Sequence, residues 1–137
     1  DQPTYQAVDV LLKNRISGAP VVGADGTLIG VFSEKDGLKA MMRALHDKVP
    51  SSVVADDMST ELITVEDHAQ LLTVVHLFLH NPVRRIPVLR QGRLVGLISR
   101  RDVLASANQV MSTTRAKEPS LLYLSAVRDA DEVPIKS

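Results

Sequence analysis

Residues 20–38 read Pro-Val-Val-Gly-Ala-Asp-Gly-Thr-Leu-Ile-Gly-Val-Phe-Ser-Glu-Lys-Asp-Gly-Leu. Residues 87–104 read Pro-Val-Leu-Arg-Gln-Gly-Arg-Leu-Val-Gly-Leu-Ile-Ser-Arg-Arg-Asp-Val-Leu. Pro20 falls on Pro87, Val21 on Val88, Gly26 on Gly92, Leu28 on Leu94 and Gly30 on Gly96. Ser33 then falls on Ser99, Asp36 on Asp102 and Leu38 on Leu104, with one residue absent from the second copy before Gly92. Upstream, Leu12 and Asn14 fall on Leu79 and Asn81. So many matches in one register establish a duplicated unit with an offset of about 67 residues. Each copy is too small to bury a core well alone, so two units packed face to face are expected.

The order within a unit follows from hydrophobic spacing. Thr4 to Asn14 carries Ala7, Val8, Val10, Leu11 and Leu12 at helical spacing, and Asp67 to Asn81 carries Leu71, Leu72, Val74, Val75, Phe78 and Leu79. Both stretches end at Asn, which tolerates a left-handed cap. Ala19–Val22 and Ile86–Leu89 read as short buried strands. Turns at Asp25-Gly26 and Gln91-Gly92 follow, then apolar strands at Leu28–Phe32 and Leu94–Ile98. Helices begin at Ser33 and Ser99. The unit is helix–strand–strand–helix, and in the second copy one further strand, Leu62 to Val65, precedes it. The first copy lacks that strand ahead of Thr4. The expected divisions are a first unit over 1–44, a linker over 45–57 with a turn at Val53–Met58, a second unit over 58–107, and a tail over 108–137. A helix from Asp102 toward Lys117 would stop at Pro119. The apolar patch Leu121–Leu124 should dock, and Leu121–Val127 is a candidate to fill the missing strand's place in its own chain or a partner's.

The 137 residues include 16 basic and 16 acidic side chains, a net charge of zero, and 45% are apolar. That balance builds a core rather than a disordered tail. Two Phe, two Tyr, no Trp and no net charge argue against a general nucleic-acid binder, which needs a basic footprint and stacking platforms. The absence of Cys excludes a disulfide scaffold, a Cys-based zinc site and a thiol nucleophile. No apolar run reaches the roughly 20 residues of a membrane span. No signal peptide and no initiator Met are visible, as expected of a trimmed chain. Cytoplasmic location is the expectation.

The chain resembles a tandem pair of CBS domains, the repeat named from cystathionine β-synthase. The first set of matching residues is Ile16-Ser17-Gly18-Ala19-Pro20 with Gly30-Val31-Phe32-Ser33-Glu34-Lys35-Asp36. The second is Val83-Arg84-Arg85-Ile86-Pro87 with Gly96-Leu97-Ile98-Ser99-Arg100-Arg101-Asp102. The resemblance spans residues 4–106 and implies an α+β fold of two pseudo-symmetric units, each a small three-stranded mixed sheet with two helices. It implies a regulatory or sensor module that binds AMP, ADP or ATP in the cleft between the units, with no cofactor required. Asp36 and Asp102 resemble the ribose-binding carboxylate, and Ser33 and Ser99 the hydroxyl beside it. The resemblance also implies a site lined by Ser99, Arg100, Arg101, Asp102, Ile63, Thr64, Arg85, Ile86 and Pro87. A weaker second site has Ile16, Ser17, Ala19, Ser33, Lys35 and Asp36. A flat homodimer built through helix faces is implied too, and Met41-Met42 with the helices around Ala40 and Leu104 agrees with it.

Other readings stand beside these. Ser-x-x-Asp is also a helix capping box, in which the two residues satisfy orphan backbone groups. Gly30 and Gly96 are equally packing glycines, and Pro20 and Pro87 fit strand entry. Residues 66–106 carry a net charge of +3, all six cations being Arg, whereas residues 4–40 are neutral. Arg suits bidentate phosphate contact. Arg100 and Arg101 stand where Glu34 and Lys35 stand in the first copy, and Glu34 would repel phosphate. A solvated basic face or salt-bridge set is the alternative. His76 and His80 share a helix face at i, i+4, but without a zincin Glu a polar outer face is favoured over zinc, and no metal site is expected. With no P-loop, Ser-His-Asp or paired-carboxylate motif legible, no catalytic residues and no enzymatic role are expected. The competing functions are a ligand-free dimerisation and interaction module, and S-adenosylmethionine binding.

Overall fold

The computed structural model describes residues 2–48, 52–113, 128–129 and 135–136. Along the chain run α1 (Thr4–Asn14), β1 (Gly18–Val22), β2 (Leu28–Ser33), α2 (Glu34–Asp47) and α3 (Val54–Asp57). They are followed by β3 (Val65–Glu66), α4 (Leu71–His80), β4 (Arg85–Arg90), β5 (Arg93–Ser99), α5 (Arg100–Thr113), β6 (Arg128–Asp129) and β7 (Ile135–Lys136). Two units result: Asp1–Leu62 with Val133–Ser137, and Ile63–Glu132.

In the first unit the sheet order is β2-β1-β7, with β1 antiparallel to β2 and parallel to β7. The expected three-stranded mixed sheet is present, and its outer parallel strand comes from the chain's far end. The proposed filler Leu121–Val127 lies outside the described residues; Ile135–Lys136 occupies the place. Ala7 and Leu11 of α1, Ala19 and Val21 of β1, Phe32 of β2 and Val54 of α3 form the core. Val54 is fully buried, so the stretch read as a turn at Val53–Met58 is a helical turn anchored in that core. Gly37 lets α2 approach α1: a Cβ there would stand 3.2 Å from Val8 Cγ2.

The second unit repeats the plan with order β3-β4-β5-β6. β3 is parallel to β4, and β5 is antiparallel to both β4 and β6. The fourth strand, β6, was not legible in the sequence. Val65, Leu71, Val74, Ile86, Val88, Ile98 and Val103 make its core.

The hairpins differ as their loops require. Gln91 and Gly92 both have positive φ, 51° and 79°, the conformation of a two-residue turn matched to strand twist. In the longer first loop Gly26 takes φ 85° and Asp25 accepts from the Thr27 amide at 3.1 Å. The register shifts at equivalent points, between Val21 and Val22 and between Val88 and Leu89.

The Asn residues cap differently from expectation. The left-handed residue after α1 is Arg15, at φ 53°, and Asn81 is extended, at φ −136°. Instead, the Asn14 and Asn81 side-chain amides donate to the carbonyls of Val10 and Leu77, at 2.8 and 2.9 Å. Each adds a side-chain donor to a carbonyl near the C-terminal end of its helix.

Candidate functional site

Each hairpin runs directly into a helix, and the junction carries the duplicated Ser-x-x-Asp. In the first unit the Ser33 amide and hydroxyl both donate to Asp36 Oδ2, at 2.8 and 2.9 Å, and the Asp36 amide donates back to Ser33 Oγ at 3.3 Å. In the second, the Ser99 amide donates to Asp102 Oδ2 at 2.9 Å and the Asp102 amide to Ser99 Oγ at 3.1 Å. Both are reciprocal capping boxes, so the structural reading of the motif is realised in each unit. Asp36 is buried and Asp102 half-buried. The next amide closes the hairpin's open end: Glu34 N donates to Ser17 O at 2.9 Å, and Arg100 N to Arg84 O at 3.4 Å.

That closure brings some of the expected residues together. Gly18 pairs with Ser33 and Ala19 with Phe32, which sets Ser17 beside the Ser33–Glu34 junction. Arg85 pairs with Ser99, Ile86 with Ile98 and Pro87 with Leu97. Arg84, Arg85, Arg100 and Arg101 are all exposed at this end of the second unit. The matching end of the first unit exposes Ser17, Glu34 and Lys35. Ile86 is fully buried in the core and Pro87 and Ala19 are buried, whereas Ile16, Ile63 and Thr64 keep part of their surface exposed. Ile63 and Thr64 lie directly ahead of β3, whose Val65 pairs with Val88.

Gly30 has a structural task. A Cβ there would stand 2.5 Å from Met58 Sδ and 2.9 Å from the Ser59 carbonyl, because Ser59 bridges Val31 along the strand edge. In the second unit β6 takes that edge, with Gly96 opposite Asp129.

One polar cluster escaped the sequence. The Asp57 side chain is only 2% exposed. Its Oδ2 accepts from Thr4 Oγ1 at 2.7 Å and from Ser52 Oγ, and the Arg43 guanidinium bonds Oδ1. Burial alone would raise this carboxyl, but the Ser52, Thr4 and Arg43 donors outweigh it and hold the group below its ordinary value. Arg90 and then His68 likewise hold Asp67 low, Arg90 Nε lying 2.5 Å from Asp67 Oδ2. Glu66, Asp67 and His68 could offer atoms to a cation, but Asp67 is already engaged by Arg90. His76 and His80 are exposed, with rings stacked 5.5 Å apart and His80 Nδ1 2.9 Å from the His76 carbonyl.

Apolar side chains are exposed at the same positions of both copies. Tyr5 and Leu72, Leu12 and Leu79, Leu38 and Leu104, and Leu45 and Met111 are equivalent pairs, and all eight are exposed. Among the described residues no helix is long and apolar enough to cross a membrane.

A duplicated helix–hairpin–helix unit, each hairpin entering a Ser/Asp-boxed helix, defines a tandem small-domain module. The chain belongs to the CBS-domain family, whose CBS domain pattern matches residues 1–43 and 53–108. It is similar to the uncharacterized protein MJ1225 of Methanocaldococcus jannaschii, 34% identical over 100 residues, which are 72% of this chain and 34% of that protein. The uncharacterized protein YlbB of Bacillus subtilis is 31% identical over 104 residues, 74% of this chain and 68% of that one. The chain thus spans about a third of MJ1225 and two thirds of YlbB. Among solved structures, CBSX2 in complex with AMP is 30% identical, covers 80% of this chain and 84% of its own, and has a TM-score of 0.68.

Proposed function

We propose that this CBS pair is a regulatory sensor of an adenine nucleotide, AMP, ADP or ATP, with its better site at the β5–α5 junction around Asp102. The observation that carries the reading is the cluster of exposed Arg84, Arg85, Arg100 and Arg101 at the start of α5, beside a carboxylate held in place by Ser99. Free backbone N–H groups at a helix start favour phosphate, and guanidinium–phosphate bonds contribute roughly 1.5–3 kcal/mol each. In both boxes the bond from the Ser amide to Oδ2 fixes the carboxylate at the junction where a ribose hydroxyl would approach. Ile63 and Thr64 would line the base. At the first junction Glu34 replaces an Arg, and its charge opposes phosphate, so the site of Ile16, Ser17, Ala19, Ser33, Lys35 and Asp36 is the weaker. The AMP complex of CBSX2 supports the ligand class. The module acts without catalysis or a required cofactor, in the cytoplasm.

The test is a thermal-shift screen with AMP, ADP, ATP, S-adenosylmethionine and NAD, since a ligand that binds only the folded state raises Tm by mass action. An adenine nucleotide should give the largest shift. Flat curves at millimolar ligand overturn the reading and favour the ligand-free interaction module.

The second reading, a homodimer through helix faces, is favoured by the eight exposed apolar side chains at repeat-equivalent positions. Exposed apolar side chains repeated in this way are a surface that a second copy of the chain would cover.

A further inference from the structure

His76 and His80 stand four residues apart on one exposed face of α4, and their rings stack with centroids 5.5 Å apart. Spacing alone fits a polar outer face, but the bond made by His80 adds something that spacing lacks. His80 Nδ1 lies 2.9 Å from the His76 carbonyl. A carbonyl only accepts, so Nδ1 carries the proton and the neutral ring keeps its lone pair on Nε2. A ring N–H given to a backbone carbonyl is the usual support of a metal-ligating histidine. The pair also stands toward the C-terminal end of α4 (Leu71–His80), where the helix dipole is negative and favours a cation. No Lys or Arg lies on α4 to oppose one. At the equivalent positions of α1 stand Asp9 and Lys13, both exposed. Those two complement each other in charge across one turn. Two imidazoles do not, yet both can give a lone pair to one ion.

We propose that His76 and His80 chelate a divalent transition ion of the class that imidazole suits, Zn(II), Ni(II) or Cu(II), with water in the remaining positions. The site is separate from the nucleotide reading, since neither histidine is among that site's residues. The ion is not needed for folding, because both histidines are exposed and lie outside the core of the second unit. Held by side chains of successive turns, it cross-links the end of α4, so the loaded helix opens less readily there. The rival donors are Glu66, Asp67 and His68, of which Asp67 is already held by Arg90.

The experiment is isothermal titration of the full chain, free of any polyhistidine tag, with Zn(II), Ni(II) and Cu(II) salts in a non-coordinating buffer near neutral pH. The parent is compared with His76→Gln, His80→Gln and His68→Gln. Gln keeps helix propensity, so the two α4 variants should fold as the parent does. Loss of an outer-shell partner alone costs about 10–100-fold in metal affinity, so loss of a ligand should weaken binding at least about tenfold. The expected result is one ion per chain in the parent, that weakening in His76→Gln and in His80→Gln, and no change in His68→Gln. Residue-resolved amide exchange on the parent should slow over residues 77–81 when Zn(II) is added, with the equivalent end of α1, residues 10–14, unchanged. No binding of any of the three ions at millimolar concentration overturns the site. Affinity kept in both His76→Gln and His80→Gln, or lost in His68→Gln, also overturns it and moves the ion to the Glu66, Asp67 and His68 donors. Should a variant misfold, the exchange comparison on the parent decides: no slowing over residues 77–81 removes the chelate.

Discussion

The Thr4 hydroxyl donates to Asp57 Oδ2 at 2.7 Å although the two residues stand 53 positions apart. With Ser52 and Arg43 on the same carboxylate, this ties the first turn of α1 to α3 and α2. Thr4 N adds a bond to the Ser52 carbonyl at 2.9 Å. Asp57→Ala leaves these donors without their acceptor and should cost about 2–4 kcal/mol. Scanning calorimetry of the variant should show a clearly lower Tm, and an unchanged Tm would remove the tie from the account.

The same carboxylate sets a pH dependence. Asp57 is held below its ordinary 3.8 when folded, so the unfolded chain binds the proton more readily. The stability it contributes is complete above about 3.8 and is lost as pH falls through the lower folded value. Denaturant titrations of parent and Asp57→Asn should therefore differ most at neutral pH and converge in acid. A constant gap down to about pH 3 would contradict this.

Gly30 and Gly37 are both buried, and they should respond differently to Ala. At Gly30 a Cβ meets the Ser59 backbone at 2.9 Å, and the bridged edge must shift, so Gly30→Ala should cost about 1–3 kcal/mol. At Gly37 the nearest atom is a side-chain methyl at 3.2 Å, and Ala recovers up to about 1 kcal/mol of helix propensity. Chemical denaturation of both variants should rank Gly30→Ala well below Gly37→Ala.

Asp102 and Ser99 separate capping from recognition. Ser99→Ala removes one partner of the box and should cost about 1 kcal/mol. Asp102→Ala should cost a similar amount and, in addition, abolish the nucleotide-induced Tm shift. A variant less stable than the parent yet shifted equally by AMP would assign Asp102 to the helix cap alone.

Leu38 and Leu104 are 71% and 70% exposed, so replacing both by Lys should leave the cores intact. Light scattering coupled to gel filtration should then show the mass fall from dimer to monomer, with Tm at low protein concentration little changed. A parent already monomeric at tens of micromolar would sink the dimer reading.

What could be read from the sequence was whatever its local chemistry dictates. Apolar spacing placed α1 at Thr4–Asn14 with both ends correct, and Gly26 and Gly92 marked the turns because each needs positive φ. The two Ser-x-x-Asp motifs could be located because a capping box closes within one helical turn. The helix at Asp67–Asn81 proved shorter, Leu71–His80, because Asp67 is spent on Arg90 and Ala69 N on the Glu66 carbonyl. β7 and the Asp57 cluster were invisible for the opposite reason. Two ladder residues leave no alternation to detect, and a carboxylate whose partners lie 5, 14 and 53 positions away has no local spacing. Ile86 looked like a ligand wall because it is apolar and near the motif, yet the alternation of β4 turns it into the core.

The two hairpins absorb a one-residue difference in loop length without moving either strand's inward face. Their register shifts fall at equivalent points, upstream of the turns, so the phase of Val21 and Val88 is set before the loop begins. The Ala24–Asp25–Gly26 tip is exposed or half-exposed, and a Cβ at Gly26 would meet nothing within 4 Å. That tip is accordingly a grafting point: a short epitope or fluorophore-bearing insert placed there would ride on the first unit without disturbing its sheet.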